Sequence, residues 1–182
     1  MEGFLNPNEI LKKLRLRKNM VAVDFGCGSG GWAIPLAKIL EKGKVFAIDI
    51  LEEPLSALKG KAKLEKVFNI KTIRADIERG SGLPSESCEL VLMTNLLFEC
   101  QNKNPVLEEG KRVLKKGGKI LIVDWEKDNP LTPEIEKVSI EEIKKIAQEL
   151  YLRIEREFKA GSYHWGLVLS KDAGLTRALG NR

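Results

Sequence analysis

Short runs of Val, Ile, Leu and Ala recur along the chain between turn-forming or charged residues. Runs of this length and composition predict strands that are buried on both faces. The first five predicted strands cover residues 21–25, 44–50, 70–74, 90–94 and 119–123. Two more strands are predicted near the end of the chain, over residues 152–158 and 164–169.

Between these strands, apolar residues at spacings of three and four predict helices. The helices are expected from Asn6-Pro7 onward, over 32–40 and 54–67, from Asn104-Pro105 to Gly117-Gly118, and after a capping box of Ser139 and Glu142. This alternation indicates a parallel sheet with helices on both faces. Residues 159–163 are too short a connection for a parallel crossover, so the last two strands are expected to form an antiparallel hairpin.

The length of 182 residues and the 43% hydrophobic content are those of one globular domain. We expect this domain to span residues 1–171 and a loosely held tail to occupy 172–182. The N-terminus lacks an apolar signal segment, and no apolar run approaches the length of a membrane span. A cytoplasmic protein is therefore expected.

Cysteine and histidine are scarce in this chain. The three cysteines, Cys27, Cys88 and Cys100, include no CxxC pair, and there is a single histidine. This spacing and the shortage of ligands predict no metal site. Free cysteines are typical of a reducing compartment, which agrees with a cytoplasmic location.

The formal net charge is +5, and basic residues alternate with acidic ones through the body of the chain. Such alternation is typical of solvated helix faces, whereas a nucleic-acid surface is more one-sided. A nucleic-acid partner is therefore not expected, and the pattern indicates no particular oligomeric state.

A glycine-rich stretch follows the first predicted strand and opens a helix, which is the position of a nucleotide-binding loop. Residues 23–31 read VDFGCGSGG. Gly26, Gly28 and Gly31 match the GxGxxG pattern of dinucleotide-binding proteins. Gly26, Gly28 and Gly30 match the GxGxG pattern of S-adenosylmethionine-binding proteins. The glycines alone leave both ligands open.

Asp24, which lies just before this loop, favours S-adenosylmethionine. A carboxylate there would repel a pyrophosphate, whereas the ammonium and sulfonium of S-adenosylmethionine are positively charged and complement it. The alternative is that Asp24 only caps the turn.

Two further acids follow strands at the same expected edge of the sheet. Asp49 ends the second strand, 19 residues after Gly30, where an acid can accept both ribose hydroxyls. Asp76 follows the third strand and can accept from the adenine amino group while Ile50 and Ile77 cover the ring. For Asp76, a solvated turn aspartate is the alternative.

Four segments, 23–30, 45–50, 75–77 and 112–119, together resemble class I S-adenosylmethionine-dependent methyltransferases. The last segment, RVLKKGGK, is similar to the RVLKPGG signature of that class, with Lys116 in place of proline. The resemblance covers residues 20–170. Within the class it is nearest to the small-molecule, type 11 group that includes the ubiquinone/menaquinone C-methyltransferases.

This resemblance implies one Rossmann-like α/β domain with strand order 3-2-1-4-5-7-6 and strand 7 antiparallel. It implies S-adenosyl-L-methionine as methyl donor, S-adenosyl-L-homocysteine as product and a small-molecule acceptor. It also places Asn95, after strand 4, beside the methyl donor. The expected cofactor-binding residues are then Asp24, Gly26, Gly28, Gly30, Asp49, Ile50, Asp76, Ile77 and Asn95.

Methyl transfer needs a general base only if the acceptor loses a proton. The candidates expected near the carboxyl edge of the sheet are His164, Glu99, Asp124 and Glu126. His164, the sole histidine, is the catalytic candidate, because imidazole suits base catalysis near pH 7. The alternative is a histidine that packs beside Trp165. Trp125 and Trp165 either line an acceptor pocket or belong to the core.

Other functions are open at this point. Methylation of RNA is favoured by a pI near 9.0 but requires an exposed basic funnel. Methylation of a protein is a further alternative. A non-catalytic module that holds S-adenosylmethionine is a different class, and the glycine loop with both acids argues against it.

Overall fold

Seven strands and five helices make up residues 5–126 and 138–172, the part of the chain that the structure, a computed structural model, describes. The strands are β1 (Val21–Phe25), β2 (Lys44–Asp49), β3 (Ile70–Arg74), β4 (Cys88–Thr94), β5 (Leu114–Trp125), β6 (Leu152–Lys159) and β7 (His164–Lys171). They form one sheet in the order β3-β2-β1-β4-β5-β7-β6. The first five strands pair in parallel, and β7 is antiparallel to β5 and to β6. The predicted order and the predicted hairpin are confirmed.

Helices cover both faces of this sheet, as expected. They are α1 (Pro7–Leu11), α2 (Ala33–Ile39), α3 (Glu52–Leu64), α4 (Lys103–Val113) and α5 (Ile140–Glu149). Helices α1 to α3 share one buried cluster through Leu11, Leu36 and Leu58. Helices α4 and α5 share the cluster on the opposite face through Leu107 and Ile143. We call these two sides the α1–α3 face and the α4–α5 face.

The central strand β1 is apolar on both sides because each side is covered. Successive side chains of a strand point to opposite faces. Ala22 belongs to the cluster on the α1–α3 face, while Val23 and Phe25 belong to the cluster on the α4–α5 face. Asp24 therefore points to the same side as Ala22, into an environment that is otherwise apolar.

Polar side chains cap the N-termini of three helices. Asn6 Oδ1 accepts the N–H of Asn8 at 3.0 Å at the start of α1, and Asn102 Oδ1 accepts the N–H of Asn104 at 3.2 Å at the start of α4. At α5, Ser139 Oγ accepts the N–H of Glu142 at 3.1 Å, which is the first half of the predicted capping box. Each bond satisfies a backbone donor that has no partner inside the helix.

The boundary between α4 and β5 differs from the prediction. The helix ends at Val113 rather than at Gly117-Gly118, and Leu114 already pairs with Cys88 of β4. The register then shifts before Leu90 pairs with Lys119. The two glycines therefore lie in an irregularity within β5, where Gly117 has a φ of 76°, instead of ending the helix.

Helix α3 lies slightly earlier than the predicted 54–67. It begins at Glu52, because proline is tolerated in a first turn and Pro54 does not prevent the start. It ends at Leu64, and Lys66 follows with a left-handed φ of 56°, a conformation that cannot continue a right-handed helix.

The predicted tail, 172–182, lies outside the described residues except for Asp172, whose Oδ1 lies 3.7 Å from Arg153 Nε. Among the described residues, no helix combines the length and the apolar content needed to cross a bilayer.

The sheet brings one set of loops together at its carboxyl edge. Strands β1 to β5 all end at this edge, and the antiparallel β7 begins there, with His164 paired to Trp125. In open α/β sheets this edge is where ligands bind. The candidate site lies in the loops that follow β1, β2, β3 and β4.

Candidate functional site

The glycine loop between β1 and α2 depends on glycine at specific positions. Gly26, Gly28 and Gly30 have φ values of 66°, 50° and 91°, which L side chains rarely adopt. A Cβ on Gly26 would lie 2.7 Å from Leu96 Cδ1, and one on Gly30 would collide with Leu58 Cδ1. Nothing lies within 4 Å of the corresponding point on Gly28, so the backbone there is open to a ligand.

Asp49, at the end of β2, holds this loop in place. Its Oδ2 accepts the N–H of Gly28 at 2.9 Å, and its Oδ1 accepts the N–H of Leu51 at 3.0 Å. The backbone N–H of Cys27 also donates to the carbonyl of Ile48 at 2.9 Å. The end of β2 and the glycine loop are therefore one bonded unit.

Asp24 is fully buried on the α1–α3 face, and neither of its carboxylate oxygens has a hydrogen-bond partner among the described residues. Burial, reinforced by the nearby charge of Asp49, raises the pKa of Asp24 to about 8. The backbone N–H of Ala33 acts in the opposite direction on this pKa but does not reach hydrogen-bond geometry. The carboxyl group is thus held in an environment that favours its neutral form.

A cavity of about 470 Å³ opens beside the loop, and we call it the carboxyl-edge cavity. Its size is that of a small-molecule site. Seven of the ten predicted site residues line it, namely Gly26, Gly28, Asp49, Ile50, Asp76, Ile77 and Asn95. The other three, Asp24, Gly30 and His164, do not line it.

The charge of this wall is one-sided. Its described lining residues include four carboxylates, those of Asp49, Asp76, Glu78 and Glu99, and neither lysine nor arginine. Such a wall suits a ligand that carries positive charge or donates hydrogen bonds, and it repels a phosphate.

Apolar side chains flank the same cavity. Ile50 is 55% exposed and Leu51 is 59% exposed, although both are large hydrophobic residues. Ile77, which is buried, lies on the wall with them, as does Leu96. Exposed apolar groups at the mouth of a cavity provide a surface for a flat ring.

Asp76 is partly engaged by its own turn. Its Oδ1 accepts the N–H of Glu78 at 3.1 Å, and its Oδ2 lies 3.3 Å from Arg79 Nε. The Arg79 side chain is exposed, so this ion pair contributes little to stability. Both interpretations made from the sequence, turn aspartate and ligand acceptor, are compatible with this placement.

The segment after β4 is clamped to the end of β5. The N–H of Asn95 donates to the carbonyl of Val123 at 2.8 Å, and Asp124 Oδ2 accepts the N–H of Leu97 at 3.0 Å. Asp124 Oδ1 accepts the N–H of Trp125 at 2.8 Å. Burial raises the pKa of Asp124 to about 6, even though these backbone donors lower it. Asp124, a base candidate, thus serves as a buried acceptor for the loop.

Asn95 itself is held in an unusual conformation. Its φ is 49°, in the left-handed region where asparagine is among the few tolerated residues. Its side-chain Oδ1 is buried and has no hydrogen-bond partner among the described residues. Asn95 lines the cavity, and its buried side-chain oxygen is left without a donor among the described residues.

The remaining base candidates lie at different places along the edge. His164 is buried, and its ring lies 4.1 Å from the ring of Trp125, measured between centroids. Neither ring nitrogen of His164 has a partner among the described residues, and burial lowers the pKa of the imidazole. Glu99 lies on the cavity wall and is largely exposed, but partial desolvation of its carboxyl group, and then the charge of Asp49, raise its pKa. The backbone N–H of Glu126 donates to the carbonyl of Tyr163 at 2.9 Å.

The two tryptophans take different positions. Trp165 is buried in the cluster on the α4–α5 face, and its Nε1 donates to the carbonyl of Trp125 at 3.0 Å. Trp125 is half-buried beside His164. Trp165 is therefore a core aromatic, whereas Trp125 lies half-buried at the carboxyl edge of the sheet.

Several wall residues were missed by reasoning from the sequence. They are Ile48, Leu51, Pro54, Ala75, Glu78, Thr94 and Cys100. Most of them lie at or just after the ends of β2, β3 and β4, so the predicted ends of these strands could have indicated them. Cys100 had a weaker signal, since it lies one turn after Leu96 and its thiol lies 3.4 Å from the carbonyl of that residue. Within residues 5–126 and 138–172, no group of three His, Cys, Asp or Glu side chains could hold a metal ion.

Comparison with known proteins agrees with this geometry. Residues 23–122 match the model of the family described as "Methyltransferase domain". A SAM-dependent methyltransferase of known structure from Aquifex aeolicus is 30% identical to this chain, with a TM-score of 0.81. That match covers 91% of this chain and 89% of the other. The resemblance stated from the sequence is confirmed.

Curated relatives include demethylmenaquinone methyltransferases. That of Staphylococcus aureus strain MRSA252 is 34% identical over 127 residues, which cover 68% of this chain and 50% of the relative. That of Geobacillus stearothermophilus is 29% identical over 111 residues, covering 60% of this chain and 47% of the relative. The chain thus spans about half the length of the curated relatives it matches.

Proposed function

Because the chain belongs to the methyltransferase domain family, of the class I S-adenosylmethionine-dependent type, we propose that it transfers a methyl group from S-adenosyl-L-methionine to a small-molecule acceptor. The observation that carries the proposal is the wall of the carboxyl-edge cavity. It presents four carboxylates and no described lysine or arginine beside a glycine loop. This charge suits the ammonium and sulfonium of S-adenosylmethionine and opposes the pyrophosphate of NAD.

The ribose is assigned to Asp49. Each of its carboxylate oxygens already accepts one backbone N–H, and each has a further lone pair for a hydroxyl. Gly28 lies next to it with open space above its backbone. The ligand can therefore lie directly against the loop, with its hydroxyls on the acid that ends β2.

The adenine is assigned to the apolar side of the cavity. Ile50 and Ile77 would cover the two faces of the ring, and Asp76 would accept from the exocyclic amino group. Burial of the exposed Ile50 side chain by the ring contributes favourably, since each Å² of apolar surface removed from water is worth about 25 cal/mol.

The chemistry follows from alignment. S-adenosylmethionine, when bound, supplies a methyl group that is already activated by the sulfonium. The protein orients the acceptor for in-line attack on the methyl carbon and excludes unproductive orientations. Proximity and alignment therefore supply much of the acceleration of methyl transfer. Asn95 and Leu96, on the segment clamped by Asp124, form the wall next to which the methyl group would lie.

A base is needed only for acceptors that lose a proton. Glu99 is the base candidate that lines the cavity, and partial desolvation, followed by the nearby charge of Asp49, raises the pKa of its carboxyl group, which makes it a better proton acceptor than a solvated glutamate. His164 stays a candidate of the same kind at the neighbouring edge, beside Trp125.

The acceptor class is proposed from the relatives. Two of them are named for demethylmenaquinone, a small molecule, and this supports a small-molecule acceptor here. Since the chain matches only about half of each relative, their acceptor is a starting point for a screen. We further propose that the domain spans residues 1–171 and acts in the cytoplasm.

Two measurements test this function. The first is thermal unfolding with S-adenosylmethionine or with NAD at saturating concentration. A ligand at a hundred times its dissociation constant stabilises the folded state by about 2.7 kcal/mol. We expect stabilisation by S-adenosylmethionine alone; stabilisation by NAD alone would overturn the assignment of the cavity.

The second measurement is transfer of a radiolabelled methyl group to a panel of acceptors. The panel contains demethylmenaquinone, simple phenols, amines and thiols, with bulk RNA and a denatured protein as separate arms. We expect label in a small molecule with the wild-type chain and a large decrease with Asp49→Ala. Label only in RNA or protein would replace the proposed acceptor class, and binding without any transfer would favour the non-catalytic alternative.

A further inference from the structure

The most unusual titratable group of the described chain is the carboxyl of Asp24. It is completely inaccessible to solvent, and neither oxygen has a hydrogen-bond partner among the described residues. Burying an ionised carboxylate without a partner is very unfavourable, and such a group becomes neutral unless a positive charge compensates it. Asp24 nevertheless lies at the start of the loop against which a cationic ligand is proposed to bind.

The neighbouring strands supply no such compensation. Asp24 pairs in register with Ala47 of β2 and with Leu92 of β4, both of which are apolar. The charged group that acts on it is Asp49, two residues beyond Ala47 on the same face of β2. A second carboxylate repels the charged form of the first.

The loop and helices beside Asp24 contribute little positive charge. The loop offers the thiol of Cys27, which is buried and whose pKa is raised by burial and by both carboxylates. Helix α2 offers the backbone N–H of Ala33, while its exposed Lys38 pairs with Glu65 at 2.7 Å. Helix α3 offers Lys61, but its exposed ammonium donates to Ser29 Oγ at 2.8 Å.

On the basis of the proposed function, we infer that binding of S-adenosylmethionine expels the proton of Asp24. In the free protein the carboxyl is neutral. When the cationic ligand occupies the carboxyl-edge cavity, the O–H bond of Asp24 breaks, the proton passes to the buffer, and the carboxylate remains as a buried counter-charge. No electron transfer or further reactant is involved.

The direction of the effect follows from the electrostatics. With its pKa raised to about 8, Asp24 is mostly protonated at pH 7 in the free protein. A positive charge brought against the loop favours the ionised form and lowers this pKa. Affinity for the cation must then increase with pH, by up to about tenfold per pH unit below pH 8, because one proton is released for each ligand bound.

The experiment counts protons. Titration calorimetry of the whole chain with S-adenosylmethionine is carried out at pH 7 in two buffers that differ in ionisation enthalpy. The difference in binding heat divided by the difference in ionisation enthalpy is the number of protons released. Three proteins are compared: wild type, Asp24→Asn and Glu99→Gln. Glu99 is the matched control, because it also has a raised pKa and lines the cavity.

We expect release of about one proton by wild type and by Glu99→Gln, and nearly none from Asp24→Asn. Subtracting the count for Asp24→Asn removes any protonation change of the ligand itself. Equal counts in wild type and Asp24→Asn, or loss of release in Glu99→Gln instead, would overturn the inference. Absence of binding by wild type would instead overturn the proposed function, so the two failures are distinguishable.

A measurement on wild type alone covers the case in which Asp24→Asn does not fold. Difference infrared spectroscopy with and without S-adenosylmethionine reports the C=O stretch of a protonated carboxyl. We expect this band to be lost when the ligand binds at pH 7. An unchanged band in a protein that binds the ligand would contradict the release of the proton.

Discussion

Asp49 Oδ2 accepts the backbone N–H of Gly28 at 2.9 Å, so the acid that ends β2 is bonded to the loop that follows β1. The Asp49 carboxylate therefore has two roles. It keeps the loop backbone against the carboxyl-edge cavity, and it leaves a lone pair on the oxygen for a ligand hydroxyl. Substituting Asp49 therefore changes both the preorganisation of the loop and the proposed ribose contact.

We predict that Asp49→Ala weakens binding of S-adenosylmethionine by about two orders of magnitude or more. Two charge-assisted hydrogen bonds, each worth about 1.5–3 kcal/mol, would be lost, allowing for incomplete additivity. Asp49→Asn should lose less, since its carbonyl oxygen can still accept a bond. Titration calorimetry measures both. Glu53→Ala is the control, because Glu53 is an exposed acid in the first turn of α3 outside the cavity, and it should bind like wild type. Wild-type affinity in Asp49→Ala would mean that the ribose lies elsewhere.

We predict that Gly30→Ala destabilises the fold by about 1–3 kcal/mol or more. The residue has a φ of 91°, and its Cβ would collide with Leu58, a fully buried residue of α3. In a chain of this size that corresponds to a decrease in melting temperature of a few degrees, about 2–4 °C per kcal/mol. Gly31→Ala is the matched control, since no atom lies within 4 Å of its Cβ position. Equal melting temperatures for the two variants would show that the loop moves to accommodate the methyl group.

We predict that the free energy of unfolding of the ligand-free protein decreases between pH 6.5 and pH 8. Burial and Asp49 raise the folded-state pKa of Asp24 to about 8, above the value of 3.8 for a free aspartate. The folded state therefore binds this proton more tightly, and its stabilising effect is lost as the pH rises through 8. Each pH unit is worth up to about 1.4 kcal/mol.

Two other shifted groups act at the acid end of this range. Asp124, with a pKa of about 6, contributes in the same direction, whereas His164, whose pKa is lowered by burial, contributes in the opposite direction. Urea titrations at the two pH values measure the change, and Asp24→Asn should remove most of it. A slope that persists unchanged in Asp24→Asn would assign it to another group.

We predict that His164→Asn leaves the affinity for S-adenosylmethionine nearly unchanged, within about twofold, and affects only turnover. The ring of His164 does not line the carboxyl-edge cavity and instead lies against Trp125. If the imidazole is a general base, its loss lowers turnover by about two to four orders of magnitude. Calorimetry and methyl-transfer rates separate the two quantities, with Glu99→Gln measured alongside. A large loss of affinity would place His164 in the cofactor site.

Strand order and the position of the binding edge were accessible from the sequence, for a physical reason. Buried parallel strands need mostly apolar runs such as Val21–Phe25, which only Asp24 interrupts. Glycines with positive φ are required where the chain turns sharply after this strand. Asp49 and Asp76 were predicted because the ends of parallel strands must meet at one edge. These features depend on the residue types within short segments, which the sequence gives directly.

The contacts that give each residue its role needed the tertiary structure. The sequence placed Asp24, Gly30 and His164 in one site with the others, but in the folded chain these three residues are not on the wall of the cavity. Asp24 points to the α1–α3 face and is buried, and Gly30 packs on Leu58. Spacing along the chain does not show which face of the sheet a helix covers, so it could not show this separation.

The sequence by itself determined the class of fold, the glycine loop and the two strand-end acids. The spacing of apolar residues, the positions of glycines and the positions of acidic residues are all properties of short segments. What only the tertiary structure decided is the combination of groups that meet across long separations. Asp49 with Gly28, Asp124 with Leu97, and a wall of carboxylates without a described lysine or arginine arise from packing. Electrostatic and hydrogen-bonding energies depend on distances through space, and those distances exist only once the sheet has assembled.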